Sequence, residues 1–178
     1  MLSGEYAVLD GAPAIVAAVD ARAIATLTSD AAASSAPPEV TATWALARER
    51  FPALPAEPPT LDVRALRDPT GAQKLGLGSS AAAAAATAGL ALAHAGLPLH
   101  ADDARRALFE LAFEGHRSIA PEGSGADVAA ASLGGFIRFE AARAESGALP
   151  TCRALTAPAG LLTRVVWTGH AARTSDLV

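Results

Sequence analysis

Between Leu75 and Leu97 the chain carries no formally charged residue, and alanine is the commonest residue of the stretch. So long an uncharged run folds in one of two ways, as a helix buried on most sides or as a bilayer span. Gly76, Gly78, Ser79, Ser80, Thr87, Gly89 and His94 interrupt it, no basic flank follows, and alanine contributes little transfer energy. The buried helix is therefore expected and the membrane span is not. Gly96 and Pro98 stop the run, which sets the helix over residues 79–95. With 51% hydrophobic but only 4% aromatic residues among 178, small aliphatic side chains have to fill the core.

Around that helix the pattern is mixed. The first ten residues read as strand then turn, with Asp10-Gly11 as the turn signal. The β-branched stretch over residues 14–27 reads as strands broken near Asp20. A polar loop over residues 29–38 precedes a helix over residues 39–50, ended by Pro52, Pro55, Pro58 and Pro59. Residues 61–66 alternate as a strand. Asp102 and Asp103 favour the start of a further helix running to about Gly115. A loop over residues 121–125 leads into a short Ala-rich helix ending near Leu133, and residues 136–139 read as a strand. A loose stretch over residues 141–160 leads to a last strand over residues 162–167. The elements indicate a mixed α/β or α+β domain, without a long-period repeat.

Several function classes drop out. A net charge of −4 argues against a general nucleic-acid binder. Cys152 is alone, which excludes an intrachain disulfide or a Cys-rich metal site, and the four His residues show no metal-ligand spacing. His94 and His100 read as ordinary helix and loop residues. The opening residues lack the basic and apolar regions of a secretory leader, so a cytoplasmic setting is expected. Lysine occurs once, at Lys74.

Two small-residue loops can carry chemistry. Gly76-Leu77-Gly78-Ser79-Ser80-Ala81 stands at the start of the alanine helix. Glycines let backbone approach a ligand, and the helix start offers unpaired N–H groups and a positive dipole end. Together these suit a phosphate, with Ser hydroxyls to add hydrogen bonds or reach Mg²⁺. The bland alternative is a glycine turn with Ser as N-cap. Neither the Walker A spacing nor the third glycine of a dinucleotide fingerprint is present. The second loop is Glu122-Gly123-Ser124-Gly125-Ala126-Asp127. There a carboxylate just inside a helix can orient or deprotonate a hydroxyl and hold Mg²⁺ nearby. The competing reading makes Ser124 or Asp127 an ordinary cap. Apolar Ala126 and Val128 predict partial burial of Asp127. His116 and Arg117 lie upstream, as helix-end residues or contacts to an anionic substrate. Glu5 and Tyr6 are either structural or pocket-lining.

Three blocks in order resemble the GHMP small-molecule kinases. Ser3-Gly4-Glu5-Tyr6-Ala7-Val8-Leu9-Asp10-Gly11-Ala12-Pro13-Ala14 is similar to their first characteristic segment. Gly76-Leu77-Gly78-Ser79-Ser80-Ala81-Ala82 is similar to their phosphate loop. Gly123-Ser124-Gly125-Ala126-Asp127-Val128-Ala129, followed by Gly134-Gly135, is similar to their substrate-side motif. Within the superfamily the chain most resembles the phosphomevalonate kinase branch, through Lys74, His116, residues 165–169 and Thr174-Ser175, with the mevalonate kinase branch next.

The resemblance implies an α+β domain like the second domain of ribosomal protein S5, a mixed sheet packed with helices. It implies ATP and Mg²⁺ as cofactors and phosphorylation of 5-phosphomevalonate. Lys74, Gly76, Leu77, Gly78, Ser79, Ser80 and Ala81 would hold the nucleotide, with Ser80 on Mg²⁺. Asp127 would orient or deprotonate the acceptor. Glu5, Tyr6, His116, Arg117, Ser124 and Gly125 would face the acceptor. The chain departs from the family in lacking the Pro-Gly-Lys strand expected ahead of Ser3. Residues 1–160 are read as the N-terminal domain and residues 161–178 as the opening strand of a second, so little turnover is expected of these 178 residues alone. An inactive nucleotide-binding or merely folded remnant is the alternative of another class, and a helical partner-binding module a third.

Overall fold

A computed structural model describes residues 1–28, 36–142, 148–167 and 169. The alanine run forms α2 (Ser79–His94), and Ala81, Ala84, Ala88 and Ala91 recur at helical spacing on its wholly buried face. Three helices surround it: α1 (Pro38–Arg50), α3 (Asp102–Ile119) and α4 (Ala126–Leu133). No helix among the described residues is long and apolar enough to cross a membrane.

The few large side chains fill the space around the methyl groups. Trp44 on α1 is 2% exposed, and its indole N–H donates to the Pro55 carbonyl at 3.0 Å, which satisfies the one polar atom it buries. Phe109, Leu111 and Phe113 of α3 join it in one cluster.

Strands β1 (Ala14–Ala17), β4 (Phe136–Glu140) and β5 (Thr151–Leu155) form an antiparallel sheet in the order β1-β4-β5. Val16 lies opposite Ile137, and Phe139 opposite Cys152. Ala14, Val16, Ile137 and Phe139 point inward to the helical cluster. A separate antiparallel pair joins β2 (Ile24–Thr26) to β3 (Thr60–Asp62). The architecture is α+β.

Several elements differ from the sequence reading, some for a local reason and some because of a distant partner. The opening strand shrinks to a bridge between Ser3 and Ile15, followed by turns. The strand expected over residues 61–66 ends at Asp62, because the Asp62 carboxylate accepts the Arg64 backbone N–H at 2.9 Å and bends the chain into a short 3₁₀ turn. Helix α3 continues past Gly115 to Ile119, since that glycine sits at a close approach to α1 rather than at a helix end. Strand β5 arises inside the stretch read as loose, by pairing along β4. Residues 162–167 form no strand: Leu162 and Val166 are more than four-fifths exposed, and no strand among the described residues pairs with them. The loop at residues 29–35, Thr168 and Thr174-Ser175 lie outside the described residues.

Candidate active site

The approach to the first loop is built by Asp68. Its carboxylate accepts the Gln73 N–H at 3.0 Å and the Thr70 hydroxyl at 2.6 Å, and these bonds hold it below the usual carboxylate range. The Leu75 N–H then returns to the Leu66 carbonyl at 3.0 Å, and Arg67 bridges Lys74. This turn leaves Lys74 exposed on the way into the loop. Gly76 and Gly78 both adopt positive φ, +73° and +72°, where a side chain is strained.

Gly78, not a serine, is the N-cap of α2, and no side chain caps the helix. Ser79 and Ser80 are therefore the first two helical residues, and the Ser N-cap alternative does not hold. No side chain among the described residues takes up the first N–H groups of this helix. The Ala81 side chain is buried behind it.

The second loop uses the same backbone device. Gly125, at φ +79°, is the N-cap of α4. Here side chains do occupy the helix start: the Ser124 hydroxyl accepts the Ala126 N–H at 3.3 Å, and Asp127 Oδ1 accepts the Val128 N–H at 3.0 Å. Asp127 is exposed rather than partly buried, because Ala126 and Val128 turn inward while position 127 faces out from the first turn. With Oδ1 pinned, Oδ2 makes no hydrogen bond among the described residues and stays open to a ligand.

The two loops meet. A Cβ built on Gly78 would stand 3.3 Å from the Asp127 Cβ and 3.6 Å from Oδ2. The lack of a side chain at Gly78 thus serves both its left-handed backbone and the closeness of the carboxylate. From α3, His116 Nε2 lies 3.2 Å from Ser80 Oγ, and the residue is 8% exposed. The Arg117 guanidinium lies 5.9 Å from the centre of the Phe113 ring. That ring occupies the space a side chain would need at Gly125, with Cδ2 2.7 Å from a built Cβ. Arg117 is thereby held over the ring that backs the second loop.

Of the residues singled out in the sequence, Gly78, Ser80, Asp127, His116, Arg117, Ser124 and Gly125 belong to this connected cluster. Gly76, Leu77 and Ser79 frame it. Glu5 and Tyr6 remain exposed in the N-terminal turns, with no side-chain hydrogen bond to either loop. Phe113 escaped the sequence reading, as did Thr43, whose Cα would lie 2.7 Å from a Cβ at Gly115. A glycine inside an otherwise helical pattern was the available signal for that approach. Cys152 takes no part: burial pushes its thiol up to about 11.

No group of three or more His, Cys, Asp or Glu able to hold a metal occurs among the described residues. One hydroxyl and one carboxylate are too few for a freestanding Mg²⁺ site. They fit a Mg²⁺ that arrives on phosphate oxygens and keeps several waters.

The family profile described as the GHMP kinases N terminal domain matches residues 42–135, a span containing both loops and all of α2, α3 and α4. The chain belongs to the GHMP kinase family. Members are phosphotransferases acting on small molecules. The profile match does not reach the block at residues 3–14. A curated relative, the phosphomevalonate kinase of Streptomyces sp. (strain CL190), is 34% identical to this GHMP kinase chain over 123 residues. That stretch is 60% of the chain and 32% of the relative, so the match spans about a third of the relative's length. No solved structure matches the chain.

Proposed function

We propose that the protein transfers the γ-phosphoryl group of ATP to 5-phosphomevalonate, giving the 5-diphospho product and ADP in isoprenoid precursor synthesis. The observation that carries this reading is the junction of the uncapped start of α2 with the Asp127 carboxylate across Gly78. The similarity to a phosphomevalonate kinase supports the choice of acceptor. Residues 1–160 would be the ATP-binding domain, of the S5 domain 2-like type, and residues 161–178 the way into a second domain.

The Gly76–Ser80 backbone would wrap the phosphate chain, with N–H groups and the helix dipole opposing its charge. Lys74 would approach the same phosphates from solvent. The Ser80 hydroxyl would be a protein ligand for Mg²⁺ bound on ATP, which would supply charge neutralisation at the phosphate oxygens. An acceptor phosphate oxygen forms the new bond to the γ-phosphorus as the bond to the bridging β–γ oxygen breaks. That acceptor is already largely ionised near neutral pH, so strong general-base help is not required. Asp127, pinned through Oδ1, would orient the acceptor and take any remaining proton on Oδ2. Arg117 and Ser124 would hold the acceptor phosphate.

Coupled ADP release from the full gene product tests this with phosphomevalonate, mevalonate or no acceptor. Turnover is expected with phosphomevalonate. Turnover with mevalonate alone would overturn the acceptor, and ADP release indifferent to either would overturn the kinase reading.

A further inference from the structure

Among the described residues, Thr43, Thr87 and His116 are polar residues buried as a whole, while Ser132 Oγ and Trp167 Nε1 are buried atoms of partly exposed residues. The two threonines satisfy themselves within their own helices, bonding the carbonyls of Glu39 at 2.7 Å and Ala83 at 2.8 Å. His116 alone of the three reaches another element, from the last turn of α3 to Ser80 on α2. A buried imidazole costs stability relative to an apolar residue of similar size unless its bond is kept. Leu111, Ala112 and Phe113 already pack this helix, so the apolar cluster does not need a polar ring there.

The position of that ring is set from behind. Gly115 lets α3 press onto α1, with the Thr43 Cα 2.7 Å from where a Cβ would stand. Arg50 and Glu114 tie the same two helices at 2.5 Å. The residue after Gly115 is therefore held at one distance from α2. The hydroxyl it meets belongs to the second residue of an uncapped helix start, at the mouth of the first loop.

We infer that His116 is a positioning residue for nucleotide binding, fixing the Ser80 hydroxyl through Nε2 and having no direct contact with the acceptor. An unrestrained hydroxyl rotates among three staggered positions. Bonded to the imidazole, it keeps one of them, and the remaining donor or lone-pair directions stay aimed at the phosphate end of ATP and its Mg²⁺. The inference rests on the proposed nucleotide role of Ser80 and is independent of the identity of the acceptor.

A double-mutant cycle on the full gene product tests it, with MgATP binding measured by calorimetry without acceptor and thermal melting as the fold control. His116→Leu and Ser80→Ala are each expected to weaken MgATP about tenfold, the scale of one hydrogen bond. The double variant should bind no worse than Ser80→Ala alone. His116→Gln, whose amide nitrogen can stand near the position of Nε2, should restore most of the affinity. ATP measured with excess EDTA should respond less to His116→Leu than MgATP does. Multiplicative losses in the double variant, wild-type affinity in His116→Leu, or a Gln variant as weak as the Leu variant would each overturn the positioning role. A wild-type protein that fails to bind MgATP would instead overturn the nucleotide reading of the loop. Binding intact without phosphomevalonate turnover would overturn only the acceptor.

Discussion

The two glycine loops share a backbone solution and differ in what fills it. Gly78 and Gly125 both take left-handed φ, and each is the N-cap of a helix. At the first, the helix start is left without a side-chain cap. At the second, Ser124 and Asp127 take up N–H groups themselves. The space beside them differs as well. A side chain at Gly78 would press on the Asp127 side chain, whereas at Gly125 it would press into the Phe113 ring of the core. One loop is open toward a ligand and the other is braced from inside. The same local geometry thus leaves helix N–H groups open in one place and holds a carboxylate in the other.

That contrast can be broken by substitution. Gly125→Ala combines left-handed strain with overpacking against Phe113 and should cost about 3 kcal/mol of stability. Denaturant unfolding reads it as a lower midpoint with an unchanged slope. Asp127→Asn in the full gene product should lower kcat about 100-fold while its melting temperature stays near wild type, because the residue is exposed. A wild-type rate would remove Asp127 from the chemistry. Gly78→Ala should cost about 1–2 kcal/mol, since its strain lacks the core overlap found at Gly125. Calorimetry should show its main effect as weaker MgATP binding, and equal stability losses at the two glycines would end the distinction between open and braced loops. Smallest is Ser124→Ala, which removes one long cap-like bond of 3.3 Å and should cost about 0.5 kcal/mol by the same unfolding measurement.

Much of the framework was legible in the chain. The alanine helix, the helix ending at Arg50, the short helix after Gly125 and the strand at Phe136 follow from periodicity and punctuation, which are local properties. Two of the misreadings involve partners distant in sequence. Strand β5 exists because β4 offers it a hydrogen-bonding edge, and residues 162–167, with β-branched residues of their own, have none among the described residues. Gly115 looked like a helix end, and only the nearness of Thr43 explains why the helix passes through it. For the site, the loop residues were readable because glycine, serine and aspartate at a helix start have few uses. Asp127 was expected to be partly buried from its neighbours, but adjacent helical residues face different directions.

By itself the sequence determined which residues could cradle phosphate, that a helix must follow them, and the family to which that order of motifs belongs. These are matters of propensity, spacing and backbone freedom, each written in a few consecutive residues. Only the tertiary structure decided that Gly78 lies against Asp127, that Phe113 backs Gly125, and that His116 reaches Ser80 from 36 positions away. Those pairings depend on how four helices pack around a face of alanine methyl groups, and packing direction and distance are set by all the facing side chains together.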